Sequence, residues 1–272
     1  MQKKSLEISC YVAGGGAFGV FLRWLQDQIA FNELGLVDKS IFNVLVPLFI
    51  AAAAWVFNRF LRQDEAELYS VSEDPGEALY NEGLPFQVAR IAAGALMCLG
   101  AVMLFAESEV DKQVTALRVL ALAAVLAGVA YPLLLAEANR DKPRVNRMCV
   151  LAFAPILLFS VWLVVCYKSN AINSVPWSYG LDIFTCIMGM LAFFRLAGFA
   201  FGSPNGRRCR FDAMFTAVLC LMCLADERYT GMQLMLLSAA LMLILYNWIL
   251  VMNMRKGKAK PVVKTKDGFE HL

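Results

Sequence analysis

Histidine is almost missing from this chain: the only one is His271, the second residue from the end. Metal centres and acid–base catalytic sites commonly rely on histidines inside the fold. No P-loop, GxGxxG dinucleotide turn or GxSxG elbow appears in a suitable strand–helix context. These absences argue against a hydrolase of familiar design, and we expect neither a metal nor another cofactor.

Charge is also scarce, because only 17% of the residues are charged while 60% are hydrophobic. Soluble domains contain about a quarter charged residues and roughly half apolar ones. The mean hydropathy is correspondingly high, at +0.59. The net charge of +3 is too small to indicate nucleic-acid binding, and we expect none. The composition predicts a membrane protein in contact with the lipid bilayer.

Long apolar stretches support this prediction, since a transmembrane helix needs about 20 predominantly apolar residues. The chain is therefore predicted to be an all-α polytopic membrane helix bundle of about eight transmembrane helices, forming one domain over residues 1–272. The seventh stretch, FDAMFTAVLCLMCLAD, is the shortest and could instead be a thin, tilted or re-entrant segment. The eight stretches lie near 8–30, 41–60, 87–106, 115–136, 148–167, 177–200, 211–226 and 231–253.

The distribution of lysine and arginine predicts the orientation of the bundle. With eight spans and a cytoplasmic N-terminus, 18 of these residues lie on or flank the inside and 5 lie outside. Cytoplasmic loops of membrane proteins carry such an excess of positive charge. Both termini are therefore predicted to be cytoplasmic. Short loops, the charge bias and the lack of an N-x-S/T sequon favour the plasma membrane of a bacterium, that is, its inner membrane.

Two polar segments are candidates for contact with partners. The basic cytoplasmic tail, 254–272, has six cationic residues, which anchor the topology or bind anionic lipid headgroups. The acidic loop 61–86 is either a solvated connector or a docking strip for a basic protein partner.

A weak internal similarity suggests two halves, 1–147 and 148–272. The hairpin MLFAESEVDKQVTALRVLALAAVLAGVAYPLLL resembles LMCLADERYTGMQLMLLSAALMLILYNWIL in layout. Each has an apolar run, an acidic knot and then a long apolar span. A 4+4 repeat with parallel halves is thus a hypothesis, although apolar segments resemble each other by default.

Ionisable residues inside apolar spans are costly unless they are paired or hydrated, so they are the main candidates for a polar cavity. Arg23 has Asp27 one helical turn further on, and the two can pair. An outer cluster that also contains Asp182 and Asp226 is geometrically feasible. Either it holds an ion or substrate, or it is a static pairing that fixes helix register. The full set of candidates for substrate binding or a polar cavity is Arg23, Asp27, Asn43, Asp182, Arg195 and Asp226.

Glycine pairs in two predicted spans have the GxxxG spacing that allows helix backbones to approach closely. Close helix packing is the first interpretation, and a broken helix at a binding site is the alternative. The pairs are Gly15 with Gly19 and Gly198 with Gly202.

One CxxC motif, Cys220 and Cys223, lies in the seventh stretch. Membrane thiol oxidoreductases use CxxC motifs, but residues at i and i+3 are also simple neighbours on one helix face. The residues that flank the two cysteines are Leu and Met, so no basic residue among them lowers a thiol pKa.

Three functions stay open at this point. The first is a transporter or channel-like protein for a small, anionic solute. The second is a non-catalytic membrane subunit or sensor of a larger complex, such as an ABC-type system. The third is a membrane enzyme, chiefly a thiol oxidoreductase. The lack of catalytic motifs argues against this third function.

Overall fold

The structure is a computed structural model, which describes residues 2–29, 41–81, 83–108, 114–138, 143–170, 176–226 and 228–256. Helices account for 88% of these residues, so the all-α prediction is confirmed. The described elements are α1 (Gln2–Ile29), α2 (Ile41–Ala66), β1 (Tyr69–Ser70), α3 (Pro75–Ala78), α4 (Leu84–Glu107), α5 (Val114–Glu137), α6 (Val145–Asn170), α7 (Pro176–Ala200), α8 (Gly206–Met222), α9 (Thr230–Met252) and β2 (Arg255–Lys256).

Seven of the described helices are long and apolar enough to cross a membrane, which suggests a multi-pass membrane protein. The long helices cover the eight apolar stretches of the sequence, but α8 has only 17 residues before a 3₁₀ turn, Cys223–Ala225. The number of crossings and the positions of the termini stay predictions. We call the end of the bundle where α1 begins and α9 ends the inner end, and the opposite end the outer end.

Six helices, α4 to α9, pack in a closed cycle, with α9 returning to α4. Stacked aromatic rings fill the inside of this cycle: Phe193 lies 5.6 Å from Tyr131 and 5.7 Å from Phe159 between ring centroids. Helix α1 packs outside the cycle on α8 and α9, and α2 lies against α8 and α1. This six-plus-two grouping does not divide the chain at residue 147, and the 4+4 repeat stays a hypothesis.

Helix α8 is short but central, because it contacts α1, α2, α7 and α9. Eleven of its 17 residues are buried. Because α8 is surrounded by protein on most sides, it does not need the continuous apolar surface of a helix that faces lipid. By contrast, only 17% of the most apolar part of α2 is buried.

The backbones of α4 and α9 approach each other closely at Gly231. A Cβ atom there would stand 2.5 Å from the carbonyl oxygen of Gly100 and would also meet the backbone nitrogen of Leu104. Only a residue without a side chain allows backbones to come this close. Gly94 of α4 makes a similar approach to Gly128 of α5.

The two glycine pairs with GxxxG spacing lie in different environments. A Cβ at Gly15 would have ordinary contact with Val218, whereas one at Gly19 would stand 3.1 Å from the ring of Phe49. For Gly198 and Gly202 the expectation of helix packing is wrong. Gly202 lies in the turn after α7 with a φ of 73° and nothing near it, and the carbonyl of Gly198 closes the same turn by accepting from the Ser203 N–H. The pair ends α7 because glycine tolerates the left-handed conformation.

The inner end is closed by the segment that follows α2. Strands β1 and β2 pair antiparallel, with Tyr69 opposite Lys256. The side chain of Asn253 donates to the carbonyl oxygens of Ala78 and Tyr80, at 2.9 and 2.8 Å. Leu79 is fully buried. Part of the 61–86 loop is therefore folded against the bundle instead of forming a solvated connector, because apolar side chains of the loop find a buried position there.

Candidate functional site

Arg23 lies at the outer end of α1 and is only 3% exposed. Its Nε donates to Oδ1 of Asp226 at 2.6 Å, and its Nη1 donates to Oε1 of Gln26 at 2.6 Å. Asp226 follows the 3₁₀ turn after α8, so the contact joins the first helix to the end of the eighth. A charge in this position is tolerable because its partners neutralise and hydrogen-bond it.

A second arginine, Arg228, completes what we call the outer cluster: Arg23, Asp182, Asp226 and Arg228. Nη2 of Arg228 donates to Asp226 Oδ2 at 2.5 Å and forms a short ion pair with Asp182 of α7. Asp226 therefore lies between two guanidinium groups, and the cluster contains two positive and two negative charges. Burial lowers the pKa of Arg228, but the carboxylates of Asp182 and Asp226 raise it by more, so the net pKa lies above its ordinary value.

The cluster continues to a thiol and a hydroxyl in the interior. Thr185 Oγ1 and Cys223 Sγ lie 3.2 Å apart, and the Cys223 thiol faces Asp182 Oδ1 at 3.7 Å. The ligand atoms of Asp182, Cys223 and Asp226 lie within 4.8 Å of one another, as in a small metal site. Because arginines already pair with both carboxylates, we do not assign a metal to this group.

An apolar opening reaches the cluster from the side of the bundle. This lateral cleft, of about 450 Å³, lies between α1, α2, α7 and α8. Its lining is apolar except for Arg23 and Gln26. Pro47 lies inside α2 on the cleft wall, where its ring removes a helix hydrogen bond. The residues that line the lateral cleft include Arg23, Gln26, Pro47, Ala51, Gly180 and Phe184.

The remaining candidates from the sequence lie apart from this arrangement or at its edge. Asp27 is partly exposed and interacts electrostatically with Arg23. Arg195 pairs instead with Asp212, at 3.8 Å, nearer the inner end. The side chain of Asn43 is outside the described residues. Cys220 and Cys223 are both completely buried, and their redox role stays a prediction.

Arg228 is not among the site candidates predicted from the sequence, where it appears only as one of the positive charges in the outside loops. One feature of the sequence could have identified Arg228 as a partner of Asp226: it lies two residues after Asp226, at the end of an apolar stretch. A second buried ion pair, at the inner end, was also not predicted from the sequence: there Arg210 Nη1 donates to Asp64 Oδ2 at 2.6 Å. Lys4 of α1 pairs with the same carboxylate.

The chain matches no model of a known protein family, no curated protein and no solved structure.

Proposed function

We propose that this protein is a membrane transporter or channel-like protein for a small, amphipathic, anionic solute, which binds in the lateral cleft. The observation that carries the proposal is that an apolar cleft of about 450 Å³ is lined at the outer end by a buried arginine, Arg23. Ligand sites are mostly apolar with a few polar groups that orient the ligand. The apolar part of the solute would lie along α2 and its anionic group would face Arg23.

The pairing of the outer cluster supports an exchange of partners on binding. Asp226 is held by both Arg23 and Arg228. When an anion approaches Arg23, Asp226 can keep its ion pair with Arg228, so no buried carboxylate is left without a cation. This matters because an uncompensated buried charge costs several kcal/mol, about 3–5. The cluster thus allows Arg23 to contact a solute at a modest free-energy cost.

For the topology we propose eight crossings, with both termini on the cytoplasmic side of a bacterial inner membrane. Helix α1 joins the two buried ion-pair clusters, with Lys4 in one and Arg23 in the other. Nineteen residues of helix correspond to about 28 Å, close to the hydrocarbon thickness. Helix α8 and its 3₁₀ turn join the same clusters through Arg210 and Asp226, which favours α8 as a full crossing.

A second candidate is a non-catalytic membrane subunit or sensor of a larger complex. It is favoured by the stacked rings of Tyr131, Phe159 and Phe193 inside the helix cycle, since a packed centre suits a static bundle. Stoichiometric co-purification with a second protein would support this candidate.

The test begins with a thermal-stability screen of the purified chain in detergent, using short-chain carboxylates, phosphates and sulfonates with matched neutral alcohols. A ligand that binds the folded state raises its stability, by about 2.7 kcal/mol at a concentration 100 times its Kd. We expect anionic amphiphiles to stabilise the wild type and alcohols of equal length to have little effect. Ala51→Trp, which fills the cleft, should abolish the shift.

The matched control for Ala51→Trp is Leu122→Trp, a substitution on the exposed face of α5 outside the cleft. A labelled ligand from the screen would then be tested for counterflow in proteoliposomes. Stabilisation that survives Ala51→Trp would place the ligand elsewhere. Binding without counterflow would reject transport and leave a sensor.

A further inference from the structure

A small pocket at the inner end contains a buried arginine with unused hydrogen-bond donors. Arg210 is 2% exposed and lines this pocket, which has a volume of about 180 Å³. Its Nη1 contacts Asp64 and Met254, but its Nε and Nη2 have no hydrogen-bond partner within the described part of the chain. Buried donors without acceptors cost free energy, so a bound acceptor in the pocket would relieve this cost.

Two arginines and two carboxylates line the pocket: Arg207, Arg210, Asp64 and Glu65. The carboxylate of Asp64 is shared by Arg210 and Lys4. Arg207 also lines the pocket and pairs with Glu65 at 2.9 Å, but both side chains of that pair are more than 40% exposed. Exposed ion pairs contribute about 1 kcal/mol or less. Arg207 can therefore exchange Glu65 for a more strongly held anion.

The pocket also borders the first turn of α8, a 17-residue helix. The side chain of Asn205 accepts from the Arg208 N–H at 3.0 Å, which satisfies one of the free donors of that turn. The other first-turn N–H groups lack acceptors within the helix, and the helix dipole adds partial positive charge. Gly206, the first residue of α8, contributes its backbone to the pocket wall. Such a terminus favours phosphate groups.

We propose that this pocket binds a phosphate group, held by Arg210 and Arg207 at the start of α8. The phosphate is that of an anionic lipid headgroup or a free phosphate ion, and the shape of the surroundings favours the lipid. A groove of about 850 Å³ shares Leu61, Glu65 and Arg207 with the pocket. The groove runs between α2 and α8 to Ala54 and Trp55, where an acyl chain can lie.

The phosphate pocket is separate from the lateral cleft and does not depend on the proposed function, because its residues lie at the opposite end of α8 from the outer cluster. The groove meets the cleft at Ala54, which lines both. Met254, the first residue of the basic tail, lines the pocket, and the tail beyond residue 256 lies outside the described residues. Arginine suits the pocket because its planar group donates two parallel hydrogen bonds to a phosphate.

The test uses Trp55 as a reporter in the full chain reconstituted into nanodiscs of phosphatidylcholine. A small fraction of phosphatidic acid with brominated acyl chains is added, and quenching of tryptophan fluorescence is measured. Brominated phosphatidylcholine at the same fraction is the control for lipid without a monoester phosphate. We expect stronger quenching by phosphatidic acid, and we expect Trp55→Phe to remove the difference.

Substitutions then assign the site. Arg207→Gln and Arg210→Lys should each weaken phosphatidic acid binding roughly tenfold, which corresponds to about 1.4 kcal/mol. Arg210→Lys keeps a positive charge beside Asp64, so the bundle should still fold, as size-exclusion chromatography would check. Glu65→Gln should strengthen binding. The matched control is Arg147→Gln, which removes an exposed arginine paired with Glu137 at the same end of the bundle.

Inorganic phosphate, tested for thermal stabilisation of the chain in detergent, distinguishes the two sources. If it stabilises the wild type but not Arg207→Gln and the two lipids quench equally, the ligand is free phosphate and the pocket stands. If the two lipids quench equally and phosphate has no effect, the proposal is overturned. Loss of binding in Arg147→Gln as large as in Arg207→Gln would also overturn it, because the attraction would then be nonspecific.

Discussion

Arg23 and Asp226 are separated by 203 positions in the sequence, yet Nε of one lies 2.6 Å from Oδ1 of the other inside the bundle. The pair ties the outer end of α1, which packs outside the six-helix cycle, to the segment between α8 and α9. The same carboxylate also contacts Arg228, and through it Asp182 of α7. One buried carboxylate thus links three parts of the chain.

We predict that Arg23 and Asp226 are energetically coupled. Asp226→Asn should lower the free energy of unfolding by about 3 kcal/mol, because it takes a carboxylate away from the buried Arg23. Arg23→Gln should cost less, because Asp226 keeps its ion pair with Arg228. The double variant should lose less than the sum of the single losses, by about 1–3 kcal/mol. Thermal or denaturant unfolding of the chain in detergent measures the three differences.

The control for this cycle is Glu137→Gln. Its partners Arg144 and Arg147 are 63% and 65% exposed, so the loss should be about 1 kcal/mol or less. Additive effects of Arg23→Gln and Asp226→Asn would contradict the coupling.

Gly231→Ala should destabilise the bundle, because the added methyl group would collide with the backbone of α4 at Gly100 and Leu104. Overpacking of this kind costs about 1–3 kcal/mol. Gly14→Ala is the matched control, since nothing lies within 4 Å of the added atom. That control should be neutral or slightly stabilising, as alanine favours a helix by up to about 1 kcal/mol over glycine. Equal melting temperatures for the two variants would show that the α4–α9 crossing is looser than described.

Asn253→Ala should release the inner cap formed by β1, α3 and the residues after them. The substitution removes both hydrogen bonds from Asn253 to the carbonyl oxygens of Ala78 and Tyr80. At about 1 kcal/mol for each bond, backbone amides of 69–81 should exchange with deuterium roughly tenfold faster or more. Asn146→Ala, an exposed position in the first turn of α6 at the same end, should leave the exchange unchanged. Unchanged exchange in Asn253→Ala would mean that Leu79 alone holds the cap.

From the lateral cleft we predict that water reaches Gly180 but not Gly14. Gly180 lines the cleft near the outer end, and a side chain there has open space around it. In a background without native cysteines, Gly180→Cys should react with a membrane-impermeant thiol reagent added from outside. Gly14→Cys also has open space but lies on the exposed surface of α1, so lipid should protect it. Absence of labelling at Gly180→Cys in a folded protein would show that water does not enter the cleft.

The helices were predictable from the sequence because long apolar stretches have a direct meaning in a membrane. Every backbone N–H and C=O in the hydrocarbon must be paired within its own segment, which makes such stretches helical regardless of their neighbours. The least certain stretch, FDAMFTAVLCLMCLAD, became α8, whose burial among four helices explains its weak signal.

The packing glycines were harder to predict, because GxxxG spacing does not reveal which helix face meets a neighbour. Gly198 and Gly202 have that spacing but lie at the end of α7 and in the turn after it, whereas Gly231 has no such partner and lies directly against the backbone of α4. The outer cluster was partly predictable, since Arg23, Asp182 and Asp226 are costly in an apolar stretch unless they meet partners.

The amino-acid sequence by itself determined the helical class and the presence of buried charges, because both follow from local composition and the cost of polar groups in hydrocarbon. Only the tertiary structure decided that Arg228 joins Arg23 at Asp226, that Arg195 pairs elsewhere, and that α2 stands apart to leave a cleft. Those outcomes depend on which helices are neighbours, and contacts between distant segments leave no periodic signal in the chain.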